Sequence, residues 1–202
     1  MTTTARTAPP RPDSEHLADY LAADAVIDHH HTAIREAVSR LRSDTDVESA
    51  RAAYTFVRDE IPHSRDIGTW SGAHRASDVL REGNAICHGK AHLLAALLRA
   101  QGIPVGLCYQ RLGSGTEGEF FLHGFVAVHL EGRWARLDPR GNRPGVDAQF
   151  SLEEERLAYS ADPGLGEIDY PVVHAAVPPR LLVGLASARP GVAGFAHVPG
   201  EL

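Results

Sequence analysis

The segment spanning residues 84–109 constrains the fold of this chain more than any other part of the sequence. Its first half carries an apolar stripe at spacings of four, three and four, which predicts a helix. The stripe consists of Cys87, Ala91, Leu94 and Leu98, and Leu93 and Leu97 widen it. Gly102 is well suited to end this helix, and Pro104 prevents its continuation. Residues 105–109 then place an apolar side chain at every second position, which predicts a β-strand directly after the helix.

Residues 122–138 (LHGFVAVHLEGRWARLD) predict a β-hairpin in which Glu131 and Gly132 form a two-residue turn. In this register the numbers of facing residues sum to 263, and one face of the hairpin is apolar. His123 and Asp138 fall on the other face as diagonal neighbours. Such neighbours lie about 7–8 Å apart at Cα, within reach of a hydrogen bond between imidazole and carboxylate. A three-residue loop would instead move Asp138 to the opposite face.

The N-terminal part of the chain has a polar start followed by helical patterns. Residues 1–13 contain no large apolar side chain apart from the initiating Met, and we expect a disordered tail. Apolar residues at helical spacing predict a helix from Ser14, its N-cap, to Leu41. A second helix is expected from Thr45, which has capping-box spacing to a glutamate, and Pro62 should end it.

The remaining parts of the chain are predicted more coarsely. Residues 62–75 read as a loop, and a short helix follows at 76–83. The region 144–202 is rich in Pro and Gly, with strand-like pieces such as LLVGLA. We therefore expect one domain over residues 14–202, with a core at about 48–140 and a C-terminal strand-and-loop extension.

Composition excludes several classes of protein. The chain has 202 residues, 43% of them apolar and 23% charged, which is typical of a globular domain. Its longest apolar run is far short of the roughly 18 residues that a membrane-spanning helix needs. The net charge of −6 offers no basic surface for nucleic acid or for an anionic membrane. Neither nucleic acid nor a membrane is expected among its partners.

The chain contains two cysteines, Cys87 and Cys108, so a disulfide scaffold and a four-cysteine zinc site are excluded. Cys108 lies inside the predicted strand, where a core position is the natural interpretation. The N-terminus lacks the apolar region of a secretory signal, and we expect a cytoplasmic location with reduced thiols.

Cys87, His123 and Asp138 are the candidate catalytic residues. A thiol at the start of a helix is exposed to unpaired N–H groups and to the helix dipole, which favour the thiolate. An imidazole can move a proton near neutral pH, and a carboxylate can orient that imidazole. Taken singly, each residue also has an ordinary structural interpretation: a small buried side chain, a structural histidine and a turn aspartate.

Three blocks of sequence resemble the transglutaminase-like superfamily, over roughly residues 48–140. NAICHGKA with the following LLAALLRAQGIPVGL resembles its nucleophile helix, and HGFVAVHLEGRWARLDP resembles its histidine and aspartate strands. RAAYTFVRDEIPH resembles the helix that leads into its core. The resemblance implies a papain-like α+β fold, in which N-terminal helices and a nucleophile helix pack on an antiparallel β-sheet. It also implies that Cys87 is the nucleophile, His123 the general acid and base, and Asp138 its orienting partner. Trp70 is a candidate for the oxyanion or substrate site.

The histidines allow a rival hypothesis of a metal site. His88 and His92 are spaced by four residues and lie near Cys87, which could form part of a zinc site. A third partner at a fixed spacing is missing, and the consecutive residues 29–31 would point in three directions on a helix. We therefore expect neither a metal nor another cofactor, and the role of residues 29–31 stays open.

The expected function is acyl transfer through an acyl-enzyme that forms from an amide or a thioester and passes to an amine or to water. A narrow-specificity cysteine peptidase or amidase is one alternative, and a non-catalytic binding module is another. The expected substrate is a small molecule, a peptide or a carrier-bound thioester, the last by analogy with bacterial relatives in specialised metabolism. An Ala- and Arg-rich composition is typical of a high-GC bacterium.

Overall fold

The computed structural model of the chain describes residues 10–116, 118–192 and 198–202. The helices in these ranges are α1 (Thr32–Leu41), α2 (Asp46–Glu60), α3 (Ser64–Ile67), α4 (Ala76–Glu82), α5 (Cys87–Arg99) and α6 (Pro179–Ala186). The strands are β1 (Arg11–Pro12), β2 (Val105–Gly113), β3 (Phe120–Leu130), β4 (Arg133–Leu137), β5 (Ile168–Asp169) and β6 (Val172–Val173). Two short 3-10 helices span Leu17–Leu21 and Pro163–Leu165.

The strands form a four-stranded antiparallel sheet in the order β4-β3-β2-β5 and a two-stranded parallel pair of β1 and β6. Helix α5 packs against β2 and β3, while α2 and α4 contact its other sides. Every residue of α5 is buried, because the helix runs through the middle of the main apolar core. The structure thus has the α+β architecture that was predicted, with the helix beginning at Cys87 packed on an antiparallel sheet.

The hairpin of β3 and β4 has the predicted register. Val126 faces Leu137 and Leu130 faces Arg133, so the numbers of facing residues sum to 263. The turn between the strands has a positive φ at both central residues, 52° at Glu131 and 75° at Gly132. This backbone matches the right-handed twist of the two strands. This turn therefore determines which face of the hairpin carries Asp138, the residue directly after β4.

Helix α2 also confirms its prediction. The Thr45 hydroxyl accepts a hydrogen bond from the Glu48 backbone N–H and donates one to the Glu48 carboxylate, so Thr45 is the N-cap of this helix as predicted. At the other end, the buried ammonium of Lys90 donates hydrogen bonds to the carbonyls of Val57, Arg58 and Ile61. Lys90 belongs to α5, so this contact fixes the end of α2 against α5.

The structure corrects the prediction of one helix from Ser14 to Leu41. A five-residue 3-10 helix, an irregular segment and α1 occupy this range instead. The Asp24 carboxylate accepts from the backbone N–H groups of Val26 and Ile27, which diverts the chain from a helical path. The Ser14 side chain bonds the Asp19 carboxylate and does not cap a long helix.

Three smaller differences also have local causes. A disordered tail was predicted over residues 1–13, and its first nine residues lie outside the described residues. The remainder of that range contains β1, which pairs with β6. The predicted loop at 62–75 contains the short helix α3. The LLVGLA segment forms helix α6 and not a strand, because Pro179 suits a first helical turn and Leu181 and Leu185 share one buried face.

Candidate active site

Cys87 is the first residue of α5, and its side chain faces the interior. It is only 2% exposed, although it stands at a helix N-terminus. Its sulfur lies 3.5 Å from Nδ1 of His88, the next residue on the helix. The thiol is therefore held among polar rings and away from bulk solvent.

The hairpin brings His123 and Asp138 to the thiol from the other side. Nε2 of His123 and Oδ2 of Asp138 are 2.7 Å apart, the contact that the diagonal register predicted. A further hydrogen bond links His123 to the thiol of Cys87. Because Nε2 faces the carboxylate, Nδ1 is the ring nitrogen that remains for the sulfur. The thiol, the imidazole and the carboxylate are thus connected in one line.

Backbone groups from two separate segments hold the Asp138 carboxylate in place. Oδ1 accepts a hydrogen bond from the N–H of Arg140, and Oδ2 accepts one from the N–H of Ala158, both at 3.0 Å. The Tyr54 hydroxyl donates to the Asp138 carbonyl at 3.0 Å. These contacts fix the orientation of the carboxylate toward His123. Ala158 belongs to the C-terminal region, so that region contributes directly to the site.

The local electrostatics favour a thiolate next to a protonated imidazole. Burial alone would raise the pKa of the Cys87 thiol, but the charges and hydrogen bonds of the surrounding histidines lower it well below its ordinary value. Burial alone would lower the pKa of His123, but the Asp138 carboxylate outweighs it and raises that pKa to about 10. Both pKa shifts favour the pair of thiolate and imidazolium over the pair of neutral thiol and neutral imidazole.

Sequence reasoning assigned no role at the thiol to His63 or His88. His63 lies between α2 and α3, is 4% exposed, and its Nε2 is 3.2 Å from the backbone nitrogen of Cys87. It also forms a hydrogen bond with the Cys87 thiol. Burial lowers the pKa of His63, so this ring is neutral near pH 7. His63 ends the IPH segment of the sequence, but only tertiary packing brings it to Cys87.

Trp70 lies beside the start of α5. It packs against the main apolar core and lines a cleft with Ile86, Leu185 and Arg189. Its carbonyl accepts a hydrogen bond from the N–H of Gly191 at 2.7 Å. The cleft reaches the residue before Cys87, so a substrate-site role for Trp70 stays a prediction.

The other cysteine and histidines have different surroundings. Cys108 is buried in β2, and burial raises its thiol pKa far above the ordinary value. His92 faces the carbonyl of His74 at 2.7 Å, whereas His88 faces the thiol, so the two rings are directed at different partners. His31 caps α1 by accepting from the Ala33 N–H. Within the described ranges, no three His, Cys, Asp or Glu side chains are grouped so as to hold a metal ion.

Comparison with known proteins assigns the chain to a family. The family model of the transglutaminase-like superfamily matches residues 33–139, more than half of the chain, so the protein belongs to this superfamily. None of the curated proteins matches its sequence significantly. Among the helices described, none is both long enough and apolar enough to cross a membrane.

One solved structure supports the fold, and a second is less similar. A candidate cysteine protease from Cytophaga hutchinsonii has a TM-score of 0.50 at 15% identity, over 63% of this chain and 43% of that chain. A candidate protease from Parabacteroides distasonis has a TM-score of 0.42 at 14% identity, over 68% of this chain and 32% of that chain. The chain therefore spans less than half the length of either of these proteins.

Proposed function

We propose that the protein is a thiol-dependent acyltransferase or amide hydrolase in which Cys87, His123 and Asp138 form a catalytic triad. The observation that carries this proposal is the buried line from the thiol through the imidazole to the carboxylate, with a 2.7 Å contact between His123 and Asp138. A nucleophile, a base and an orienting acceptor in hydrogen-bonding sequence are the parts that acyl transfer needs. Membership of the transglutaminase-like superfamily supports thiol-dependent catalysis.

In the first half-reaction, the Cys87 thiolate attacks the carbonyl carbon of an amide or thioester, and the carbonyl π electrons move to the oxygen. When the tetrahedral intermediate collapses, the bond to the leaving nitrogen or sulfur breaks and His123 donates its proton to that atom. The products are an acyl-enzyme, a free amine or thiol, and a neutral imidazole. Asp138 keeps His123 in the required orientation through both changes of charge.

In the second half-reaction, His123 accepts a proton from water or from an amine as that molecule attacks the acyl carbon. Collapse of the second intermediate releases an acid or a new amide and restores the thiolate–imidazolium pair. Hydrolysis and amide formation share the first half-reaction, so the triad serves either outcome. We propose a small molecule, a peptide or a carrier-bound thioester as the acyl donor, because the nearly closed site favours a narrow substrate range.

The experiment uses p-nitrophenyl acetate as a general acyl donor. The wild type is expected to release a burst of p-nitrophenol and to gain an acetyl group at Cys87, located by mass spectrometry of peptides. Cys87→Ala should lose at least about 10³-fold in acylation rate. Cys108→Ala is the matched control and should keep the burst, because that thiol is buried and burial raises its pKa far above the ordinary value.

Two results would contradict the proposal. Acetylation at Cys108 in place of Cys87 would make the nucleophile assignment wrong. A wild-type protein that is not acetylated at all would favour the binding-module alternative. If acylation occurs, adding hydroxylamine or simple primary amines separates the remaining possibilities. Capture of the acyl group by the amine supports transfer. An acyl-enzyme whose breakdown the amines do not change supports hydrolysis by a peptidase or amidase.

A further inference from the structure

His88 follows Cys87 in α5, and its ring is fully buried between the thiol and the sheet. Nδ1 of His88 lies 3.5 Å from the Cys87 sulfur. The ring also touches β3, where a Cβ atom at Gly124 would lie 2.7 Å from its Cδ2 and 3.3 Å from its Nε2. The Tyr109 ring of β2 stacks on it at a centroid distance of 6.2 Å. The two strands therefore hold this ring in one orientation beside the sulfur.

The surroundings of the two ring nitrogens indicate which of them carries a proton. Nε2 of His88 is buried and has no hydrogen-bond partner among the described residues. A proton on Nε2 alone would leave a buried N–H without an acceptor, and it would turn the lone pair of Nδ1 toward the sulfur. A proton on Nδ1 removes both faults, because a thiolate accepts hydrogen bonds. The hydrogen therefore belongs on Nδ1.

We propose that the Nδ1–H of His88 is a second hydrogen-bond donor to the Cys87 thiolate, and that it assists the step in which the sulfur leaves the acyl group. The assistance rests on the proposed acyl transfer, whereas the hydrogen bond does not. In that step the carbon–sulfur bond of the tetrahedral intermediate breaks, and its electron pair returns to the sulfur. The Nδ1–H donates to the charge that forms there, and His88 gives up no proton.

His88 and His123 serve the sulfur in different ways. His123 accepts and returns a proton in each half-reaction, so its charge changes. His88 belongs to the same helix as Cys87, so its donor stays beside the sulfur in every state of His123. A donor of this kind makes the thiol more acidic, and a more acidic thiol leaves an acyl group faster but attacks more slowly as a thiolate. This opposite effect on the two directions is the signature of the hydrogen bond.

Three other titratable side chains face the pair of Cys87 and His88. Burial alone would lower the pKa of His123 in β3, but its carboxylate partner raises that pKa to about 10. Burial lowers the pKa of His63, which precedes α3. Burial raises the pKa of Tyr109 in β2 well above its ordinary value. None of the three changes its charge between about pH 7 and pH 9, so reactivity in this range reports on the thiolate and its hydrogen bonds.

Alkylation of Cys87 by iodoacetamide measures the hydrogen bond without any acyl group. His88→Met removes the donor and keeps a similar side-chain volume, so the midpoint of the alkylation profile should move to higher pH. For each pH unit of this movement, the rate below the wild-type midpoint should fall about 3-fold and the alkaline plateau should rise about 3-fold. The plateau rises because the thiolate that has lost a donor is the stronger nucleophile.

Two further variants complete this experiment. His88→Asn places an amide N–H near the position of Nδ1 and should restore most of the wild-type profile. His92→Met is the matched control, because His92 lies one turn further along α5 and its Nδ1 faces the His74 carbonyl, not the thiol. It should leave the midpoint and the plateau unchanged. An unchanged profile in His88→Met, or a plateau that falls, would overturn the proposal.

Acylation by p-nitrophenyl acetate tests the assistance to the leaving sulfur. The burst measures acylation of Cys87, and the steady phase after it measures deacylation. At pH 8 to 9, His88→Met should slow the steady phase about 3-fold without slowing the burst. Equal slowing of both phases would overturn the leaving-group role. A wild type that iodoacetamide alkylates as expected but p-nitrophenyl acetate does not acylate would overturn the proposed function and leave the hydrogen bond standing.

A measurement on the wild type decides the position of the proton if His88→Met does not fold. Nitrogen-15 NMR of labelled histidine shows which ring nitrogens carry a proton, and the spectrum of His88→Asn assigns the signals of His88. The expected result is a proton on Nδ1 of His88. A ring that carries its proton on Nε2 alone could not donate to the sulfur, and the inference would be wrong.

Discussion

Three imidazole rings contact Cys87, and their remaining contacts give them different chemistry. His123 bonds a carboxylate and is the ring that gains a positive charge. His63 caps a short helix through Nδ1 and is neutral. His88 faces the thiol through Nδ1, and its buried Nε2 has no hydrogen-bond partner among the described residues. The three rings therefore differ in the partner on their far side, and His123 is the ring whose partner is a carboxylate.

Asp138→Asn tests the charge pattern at the residue scale. Without the carboxylate, burial lowers the pKa of His123 unopposed, the imidazolium is lost, and the pKa of the Cys87 thiol rises. Alkylation of Cys87 by iodoacetamide at pH 6 should then slow by at least about 10-fold. The rate should recover as the pH rises toward about 8.5, the ordinary thiol value.

The wild type provides the comparison for this experiment. Its thiolate exists above the lowered pKa of Cys87, so its alkylation rate should stay nearly constant from weakly acidic pH upward. The imidazolium persists until the pH approaches about 10, so acylation should decline only there. A wild-type alkylation profile that rises with a midpoint near 8.5 would contradict the ion pair.

At the scale of single elements, Gly124 in β3 permits the close contact between the sheet and α5. A Cβ atom at Gly124 would lie 2.7 Å from Cδ2 of His88, which is closer than van der Waals contact allows. Gly124→Ala should therefore force β3 away from the helix, lower the free energy of unfolding by about 1–3 kcal/mol and slow acylation. Urea denaturation and the p-nitrophenol burst measure these two effects.

Gly113 at the end of β2 is the matched control for this substitution. A Cβ atom there would meet only the Glu167 carboxylate oxygen, at 3.4 Å, and that side chain can move. Gly113→Ala should change the free energy of unfolding by no more than about 0.5 kcal/mol and leave the burst intact. Equal losses in both variants would show that the His88 contact is not the cause.

Local sequence rules predicted the elements that carry most of the candidate site. The helix beginning at Cys87 and the two-residue turn at Glu131 and Gly132 depend on apolar period and turn chemistry, which operate over a few residues. The register then placed His123 diagonal to Asp138 without any knowledge of the tertiary structure. Residue 63 could not be found this way, because its contact with the Cys87 backbone N–H spans 24 residues and depends on a bridge to Ala85.

The errors of prediction have the same origin. Apolar spacing extends across residues 14–31, but hydrogen bonds that the Asp24 carboxylate accepts from nearby backbone N–H groups compete with the helix there. The LLVGLA segment is apolar enough for either a strand or a helix, and the preceding Pro179 decides for the helix. Periodicity alone therefore fails where one polar side chain or one proline changes the local backbone.

At the scale of the whole molecule, the C-terminal region is fastened to the sheet through Arg136. The Arg136 side chain belongs to β4 and is 2% exposed. It binds the carboxylates of Glu155 and Asp169. The N–H of Ala158, which bonds the Asp138 carboxylate, lies three residues after Glu155. The ion pairs therefore stabilise a segment that itself orients the catalytic carboxylate.

Arg136→Met should destabilise the protein by about 2 kcal/mol, because it leaves the partly buried Asp169 carboxylate and the more exposed Glu155 carboxylate without this cation. Acylation should also slow, since Ala158 would be held less firmly. Arg133→Met is the control, because Arg133 is 46% exposed and its ion pair with Glu153 is worth at most about 1 kcal/mol. Urea denaturation compares the two, and equal losses would contradict the role given to Arg136.

The depth of the thiol has a consequence for the lifetime of the protein. Thiolates are the cysteine species that peroxides oxidise, and their susceptibility rises with accessibility. With a side chain only 2% exposed, Cys87 combines a highly nucleophilic form with little contact with dissolved oxidants. We expect Cys87 to resist oxidation by hydrogen peroxide longer than an equally acidic surface thiol does. It should therefore remain reduced and reactive between infrequent encounters with its acyl donor.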